Sequence, residues 1–312
     1  MERFMADFVS HYLFGEQALA AFPPVVQLAA ARRAAVFNWG LQGPDPLFFH
    51  KLAFGSPLHK YGNLMHSKRT DELFFAFARA VNRMTGASRE IAESYFYGFL
   101  CHYALDNALH PYVYCRQQEC LKADPRQSTS AVHCQIESDI DYALYDAEYH
   151  ASVTEFDPDA YYKLTDEETA VLAVLLHYLL KVVYGVSVDT AALRSSFGEM
   201  LAVQNFLYAG SRTFYHSLRQ VERLIRRGAV LTSHIKAEPP RWNCLNLDHA
   251  PWRTLWQPEV ERTESVPELI EQARDKAVAL AGQYAAEFDA GWLLLHHFDT
   301  PFDHGSPKAI HD

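Results

Sequence analysis

The sequence predicts an all-α protein, and three observations predict that fold class. Apolar residues recur at helical spacing over most of the chain, as Phe4, Phe8 and Tyr12 do in the first segment. No segment shows a convincing strand pattern of alternating apolar and polar residues. Helix-terminus signals flank the apolar runs, since Thr165 and Glu168 form a capping-box pattern just before one of them. We therefore expect helices packed on helices.

The predicted elements follow in chain order. Helical patterns run from Leu73 to Met84, from Phe96 to Tyr103, from Val171 to Val183 before Gly185, from Phe197 to Arg227, and from Pro267 to about Leu295. Proline, glycine and asparagine concentrate at residues 38–63 and 239–258, which predicts two long ordered loops. The tail, residues 298–312, is expected to be a loose end.

The chain has 312 residues and is expected to form one compact domain with three parts, because no stretch has the composition of a linker. Residues 1–156 would form a metal-binding helical core. Residues 157–240 would form a helical lobe that carries no recognisable motif. Residues 241–312 would supply a loop and a C-terminal helix that pack on the core.

Composition indicates a soluble globular protein, since 49% of residues are hydrophobic, 21% are charged, and no apolar run approaches membrane-spanning length. The formal net charge of −10 weighs against a nucleic-acid partner held by broad neutralisation of phosphates. The five cysteines are odd in number and form no C-x-x-C pattern, so a reducing, cytoplasmic location is expected. Asp7 and His11 interrupt what would be the apolar core of a signal peptide.

The strongest functional signal is a pair of helical clusters of metal-ligand residues. His102 and Asp106 are four residues apart and share one helix face, as do His133 and Glu137 in the second cluster. Each pair can hold a cation between an imidazole and a carboxylate. His110 lies about 12 Å along the helix from His102, too far for both to bind one ion. Two metal ions are therefore expected. This ligand set, without thiolate, fits Zn²⁺ best, with Mn²⁺ and Fe²⁺ as alternatives.

The first predicted loop contains further candidate residues. Asp45 lies between two prolines and is therefore a stiffly held carboxylate. It can be a metal ligand, a general base, or a turn residue that bonds its own backbone, and the sequence leaves these roles open. His66 follows as a candidate ligand, whereas His50 and His59 are expected to be surface or capping histidines.

Several other hydrolase chemistries lack their motifs. The chain contains no H-E-x-x-H, no G-x-S-x-G, no G-x-x-x-x-G-K-[ST] and no Glu-x-x-His of the di-iron bundles. The His-Asp dipeptide occurs only at His311-Asp312, outside any predicted helical core, which argues against an HD-type phosphohydrolase.

In their order along the chain, the candidate residues resemble the ligands of the zinc-dependent phospholipase C family, which is related in fold to the S1/P1 nucleases. The resemblance lies within residues 1–145 and rests on His11, Asp45, His66, His102, Asp106, His110, His133 and Glu137. It implies an all-α fold of the phospholipase C/P1 nuclease type with a multinuclear metal site.

The resemblance also implies how these residues divide the zinc ions. One zinc would be surrounded by Asp45, His66, His102 and Asp106, and a second would be held by His110, His133 and Glu137. Asp106 would bridge towards a third zinc, which the secreted enzymes bind with a histidine like His11 and a processed N-terminal tryptophan. This chain begins with Met1, so two zinc ions are expected and the third is left open.

The family's choline-selecting aromatics are replaced here. Pro46 follows the loop aspartate, and Asn63 lies three residues before His66. The resemblance therefore implies hydrolysis of a phosphoester, and it does not imply specificity for phosphatidylcholine.

The expected function is zinc-dependent hydrolysis of a phosphoester, with a phospholipid headgroup ester as one substrate class, by a metal-activated water. Asp45 would orient or deprotonate that water. The second predicted loop would place His249 or Trp252 over the site, which makes His249 a candidate substrate-binding residue. Peripheral membrane contact is compatible with this function.

Two other functions are left open. One is an S1/P1-type nuclease or 3′-nucleotidase, which would need aromatic platforms for base stacking and is disfavoured by the acidic balance. The other is a metal-binding protein without catalysis. An open coordination position would favour the enzyme, whereas a closed tetrahedral shell would favour a structural role.

Overall fold

The computed structural model describes residues 8–52, 54–208, 212–224, 239–286, 298 and 300–302. These residues form thirteen α-helices: α1 Phe8–Ala21, α2 Pro24–Ala31, α3 Ala34–Leu41, α4 Pro46–Phe49, α5 Pro57–Ser67, α6 Thr70–Arg83, α7 Gly86–Ala123, α8 Thr129–Tyr149, α9 Pro158–Tyr162, α10 Asp166–Tyr184, α11 Thr190–Tyr208, α12 Arg212–Leu224 and α13 Val266–Ala286. Within the described ranges the only β pairing is an isolated bridge between Trp252 and Arg262. The predicted all-α class is confirmed.

Helix α7 forms the centre of the structure. It has 38 residues, which corresponds to about 57 Å of helix. Its residues are buried almost without interruption from Ile91 to Gln117, on every face. A helix that is buried all round lies inside the core rather than on it. Helices α1, α2, α3, α6, α8, α10 and α13 pack around α7, and the side chains that α7 presents are therefore held from several sides.

Helix α3 crosses α7 at close range because both helices carry glycine at the crossing. A Cβ atom on Gly40 would lie 2.4 Å from the carbonyl oxygen of Tyr95, and one on Gly98 would lie 2.2 Å from the carbonyl oxygen of Phe37. Both obstacles are backbone atoms, which cannot move aside as a flexible side chain can. Only glycine permits this approach at either position.

Local sequence signals fix the ends of α10 as predicted. The Thr165 hydroxyl accepts a hydrogen bond from the Glu168 N–H at 3.2 Å, and the Glu168 carboxylate accepts one from the Thr165 N–H at 2.9 Å. This is the capping box. At the other end, Gly185 adopts a left-handed φ of 69°, the usual way for glycine to end a helix.

The stretch 38–63 is mostly helical, so the prediction of a long loop there is wrong. Helix α3 ends at Leu41, α4 begins at Pro46 and α5 begins at Pro57. The two prolines occupy first positions of helices, where the missing N–H costs no hydrogen bond. The prolines therefore mark helix starts, although the sequence pattern suggested turns.

Three further predicted elements can be compared with the structure. Helices α11 (Thr190–Tyr208) and α12 (Arg212–Leu224) account for the described part of the helix expected from Phe197 to Arg227, and residues 209–211 and 225–227 lie outside the described residues. The loop at residues 239–258 is confirmed, since no helix forms there. Helix α13 begins at Val266, as expected, and Leu295 lies outside the described residues.

His50 and His59 are buried, so their expected surface placement is wrong. His50 occupies the capping position after α4, and its Nδ1 lies 2.7 Å from the Ser56 hydroxyl. The His59 Nε2 lies 2.9 Å from the His50 carbonyl oxygen. Both side chains hold the turn between α4 and α5 in place.

The tail contains buried residues, so the expectation of a loose end is wrong for its described part. Phe298 and Phe302 are buried, and both rings stack on Phe74, with centroid distances of 4.0 and 6.0 Å. Each buried phenylalanine contributes roughly 1.5–3 kcal/mol of hydrophobic stabilisation, enough to hold a short segment without secondary structure. His304 and His311 lie outside the described residues.

None of the helices in the described ranges has the length and apolar content needed to cross a membrane. The five cysteines form no disulfide.

The α3–α7 crossing yields a stability prediction. Gly98→Ala is expected to destabilise the protein by about 1–3 kcal/mol or more, because the added methyl group overlaps the Phe37 carbonyl oxygen and separates the helices. The matched control is Gly198→Ala in α11, where a Cβ would meet no atom within 4 Å. Alanine there is expected to stabilise the helix by about 0.5–1 kcal/mol. Urea denaturation of both variants measures the difference, and equal midpoints would contradict the close crossing.

Candidate metal centre

Eight side chains from five helices converge beside the middle of α7, and all eight are buried. They are His11 of α1, Asp45 at the start of α4, His66 of α5, His102, Asp106 and His110 of α7, and His133 and Glu137 of α8. These are the residues that the sequence predicts as metal ligands. Their ligand atoms form three groups that could each hold a metal ion, and two of these groups share His102.

The first group consists of Asp45, His66 and His102. The His66 Nε2 lies 3.2 Å from the Asp45 Oδ1 and 3.2 Å from the His102 Nε2. Two atoms that bind one zinc at about 2.1 Å each, at the tetrahedral angle, lie about 3.4 Å apart. The spacing in the first group is therefore close to that of a metal's coordination shell.

The second group consists of His110, His133 and Glu137. The Glu137 Oε1 lies 2.9 Å from the His133 Nε2 and 3.5 Å from the His110 Nε2. His102 and His110 belong to different groups, as their separation along α7 predicts. The predicted pairing of His133 with Glu137 is also present.

Asp106 lies between the groups and faces both of them. Its Oδ2 is 3.3 Å from the His102 Nε2 and 3.8 Å from the His66 Nε2, in the first group. Its Oδ1 is 3.2 Å from the His11 Nε2 and 3.9 Å from the His110 Nε2. One carboxylate thus presents an oxygen to each side of the centre, which is the geometry of a bridging ligand.

The third group consists of His11, His102 and Asp106. The His11 ring stacks on the His102 ring with centroids 4.5 Å apart. His102 offers only its Nε2, because its Nδ1 lies 3.1 Å from the Leu41 carbonyl oxygen, and that Nε2 is shared with the first group. A third ion would therefore have only His11 and Asp106 of its own within the described residues.

Three imidazoles are oriented through their Nδ1 atoms. The Nδ1 of His66 donates to the Gly62 carbonyl oxygen at 2.8 Å, and that of His102 donates to Leu41. The Nδ1 of His133 donates to the Gln117 side-chain oxygen at 2.8 Å. An oxygen of this kind only accepts, so Nδ1 carries a proton and Nε2 is the ring nitrogen directed at the centre. This arrangement is typical of histidine ligands to metals.

The glycines of the fold make this arrangement possible. The close α3–α7 crossing brings the Leu41 carbonyl at the end of α3 to His102. Gly43 then passes directly over the His102 ring with a left-handed φ of 50°, and a Cβ there would lie 2.2 Å from its Cδ2. The Gly-Pro-Asp segment is therefore packed on an imidazole, which places Asp45 beside it.

The charges of the centre favour a bound cation. Burial, together with the neighbouring His11 and His66, holds the pKa of His102 well below its usual value, so this imidazole is neutral. Burial raises the pKa of Glu137, but His133 and His110 outweigh it and leave this pKa well below its usual range. Glu137 is therefore ionised although it is buried.

The buried carboxylate of Asp106 needs a positive charge close to it. Both of its carboxylate oxygens are buried, and neither has a hydrogen bond within the described part of the chain. Burying an ionised carboxylate without hydrogen bonds costs several kcal/mol unless a positive charge compensates. Divalent cations in the first and second groups would provide that charge, so the donor set fits metal ions.

Aromatic residues that the sequence did not single out border the second group. The Tyr114 ring lies 5.0 Å from the His133 ring and 5.8 Å from the His110 ring. Trp256, from the second predicted loop, packs edge-on against Tyr114 at 5.4 Å and is partly exposed. Tyr114 follows His110 by four residues on α7, so helical spacing was a signal that it shares that face.

The loop candidates are placed differently. His249 is exposed, and its Nδ1 lies 3.1 Å from the Thr263 carbonyl oxygen and 3.4 Å from the Glu268 carboxylate. Neither partner belongs to the three groups, and its substrate-binding role stays a prediction. Trp252 is buried against Tyr112 and covers core.

No protein-family model matches this chain, and no curated protein and no solved structure matches it either.

The geometry predicts two zinc ions per chain, measured by mass spectrometry of metal content on protein purified without an affinity His tag. His102→Ala is expected to lose one equivalent from the first group, and Glu137→Ala one from the second. His177→Ala is the control. His177 lies on α10, belongs to none of the three groups, and has its Nδ1 2.6 Å from the Val188 carbonyl oxygen. Circular dichroism checks that each variant folds. Wild-type protein that takes up no zinc would contradict the prediction that this site binds zinc.

Gln117 is expected to tune the second group. Gln117→Leu removes the acceptor that fixes the Nδ1 proton of His133, so zinc affinity at the second group should fall about 10–100-fold. Gln118→Leu makes the same change one residue further along α7, on another face, and should leave affinity unchanged. Competition with a chromogenic chelator measures both affinities. A Gln117→Leu variant that binds zinc like wild type would remove this role.

Proposed function

We propose that this chain is a zinc-dependent phosphoester hydrolase that resembles the phospholipase C family. The observation that carries the proposal is Asp106, whose Oδ2 lies 3.3 Å from the His102 Nε2 of the first group while its Oδ1 lies 3.9 Å from the His110 Nε2 of the second group. Metal ions that share a bridging carboxylate are a recurrent arrangement for binding and cleaving phosphate esters. The order of the ligands along the chain, which resembles that family, supports the same reaction class.

The donor set supports zinc as the metal. The three groups contain imidazole and carboxylate ligands and no thiolate within the described residues. Cys101 precedes His102, but burial raises the pKa of its thiol, so it stays protonated and is a poor ligand. Zinc binds imidazole and carboxylate oxygen readily, whereas Mg²⁺ and Ca²⁺ prefer oxygen ligands alone.

Bound ions would hold the phosphate oxygens and lower the pKa of a coordinated water towards about 7. The chain's own residues supply orientation and proton transfer. Asp45 is held by the turn before α4, with its Oδ1 at the edge of the first group, where it orients or deprotonates the attacking water. Leu41, Gly62 and Gln117 keep the histidine Nε2 atoms directed at the centre through their bonds to Nδ1.

Nuclease or 3′-nucleotidase action of the S1/P1 type is the second candidate function. Trp256 packs against the buried Tyr114 beside the second group and presents a partly exposed aromatic ring, on which a nucleobase could stack. A substrate panel separates the two functions. Bis(p-nitrophenyl) phosphate reports any phosphodiesterase, phospholipid micelles report the first function, and 3′-nucleotides with single-stranded RNA report the second. Zinc-loaded protein that is inactive on all of them would leave a metal-binding protein without catalysis.

Asp45→Asn is the mutation that tests the proposed base. The amide keeps an oxygen but cannot accept the proton, so kcat should fall about 10²–10⁴-fold. Zinc content is measured on the same protein, because Asp45 also belongs to the first group and kcat has to be compared between zinc-loaded proteins. The control is Asp275→Asn, which changes an exposed carboxylate on α13 and should leave kcat unchanged. Asp45→Asn protein with its full zinc content and full activity would overturn the role of Asp45 as base.

A further inference from the structure

The tail of the chain contributes to the metal centre through a segment that we call the C-terminal strap, residues Phe298 and Thr300–Phe302. Helix α7 holds this strap by side-chain hydrogen bonds. The Tyr103 hydroxyl donates to the Thr300 carbonyl oxygen at 3.1 Å. The Asn107 side-chain amide donates to the Thr300 hydroxyl oxygen at 2.9 Å and to the Pro301 carbonyl oxygen at 2.9 Å.

Helix α13 reinforces this attachment. The Lys276 ammonium group donates to the Asn107 side-chain oxygen at 2.6 Å and lies 4.5 Å from the centre of the Tyr103 ring. Asn107 is thereby fixed with its amide group towards the strap. The strap's position is therefore set by two helices, and Asn107 directly follows the bridging ligand Asp106.

Phe302 carries the strap into contact with the first group. Its N–H donates to the carbonyl oxygen of His66 at 3.1 Å. Its ring lies 5.5 Å from the His66 ring and 5.7 Å from the His102 ring. Phe302, which belongs to the tail of the chain, thus contacts both imidazoles of the first group.

Aromatic rings from two different parts of the chain pack against the His66 ring. Phe48 stacks on the imidazole with an interplanar angle of 28°, and Phe302 meets it at 66°. The Nδ1 bond to Gly62 fixes one ring atom but leaves the ring free to tilt about that contact. Aromatic neighbours limit this tilt, and they thereby set where Nε2 points.

We propose that Phe302 is a positioning residue for the metal ion of the first group. It holds the His66 and His102 imidazoles so that their Nε2 atoms stay within the short separation that one ion requires. This inference rests on the proposed metal centre and extends it to a part of the chain that carries no ligand. The ring contacts of Phe302 are with His66 and His102, so zinc binding at the second group is not expected to depend on the strap.

The test compares Phe302→Ala with Phe298→Ala. Phe298 belongs to the same strap and stacks on the same Phe74, but its ring contacts are with Phe74 and Tyr103 rather than with an imidazole. Phe302→Ala is expected to bind one of two zinc ions about 10–100-fold more weakly, the range seen when support of a ligand is removed. Phe298→Ala is expected to lose stability and to keep both affinities.

Double variants identify which ion is affected. Phe302→Ala combined with Glu137→Ala should lose both zinc equivalents under conditions where each single variant retains one. Phe302→Ala combined with His102→Ala should lose no more zinc than His102→Ala alone. Phe302→Leu keeps an apolar side chain against the imidazoles and should restore part of the affinity, which separates positioning from failure to fold.

Three outcomes would overturn the inference. Phe302→Ala protein with wild-type affinity at both groups would show that the imidazoles hold their own orientation. Equal loss of zinc in Phe302→Ala and Phe298→Ala would make the strap a general stabiliser. Wild-type protein that binds no zinc would remove the inference together with the proposed function, whereas the first two outcomes leave the proposed function standing.

Discussion

Ionised carboxylates buried in an apolar helical core are the constraint on which the rest of the structure depends. Glu137 is held ionised by two neighbouring imidazoles, and the oxygens of Asp106 have no hydrogen bond within the described residues. Such groups destabilise a core unless positive charge compensates them. Imidazoles from four different helices direct their Nε2 atoms at the centre, and cations bound there would supply the compensating charge. Folding of the core and binding of metal are therefore parts of one free-energy balance.

The packing around α7 places the groups that orient the metal ligands. Glycine at the α3 crossing lets a main-chain carbonyl reach His102, and a second glycine lets the Asp45 segment lie on the same ring. Main-chain carbonyls are good supports for ligands because their positions are fixed by helices rather than by rotamers. The centre thus owes its geometry to backbone placement, and the surrounding aromatic rings restrict what freedom the imidazoles retain.

The sequence predicts the ligands better than it predicts what supports them. His102, Asp106 and His110 follow helical spacing, so their shared face can be inferred from periodicity alone, and the capping box of α10 is equally local. The contact between Gln117 and His133 depends on how α7 and α8 cross, which no local pattern reveals. The sequence predicts a loop at 38–63 because Pro46 and Pro57 signal turns as well as helix starts. It predicts a loose tail because Phe298 and Phe302 follow no helical or strand period.

The strap has a consequence for the order of events during synthesis. Ligands of the first group come from the first third of the chain, whereas Phe302 lies close to its end. A ribosome makes the ligands long before it makes the residue that packs on their rings. Contacts so distant in sequence form late and slowly, even in a helical protein. A nascent chain would therefore present the histidines and carboxylates without their final support, and the first group would reach its final geometry only after Phe302 has been made.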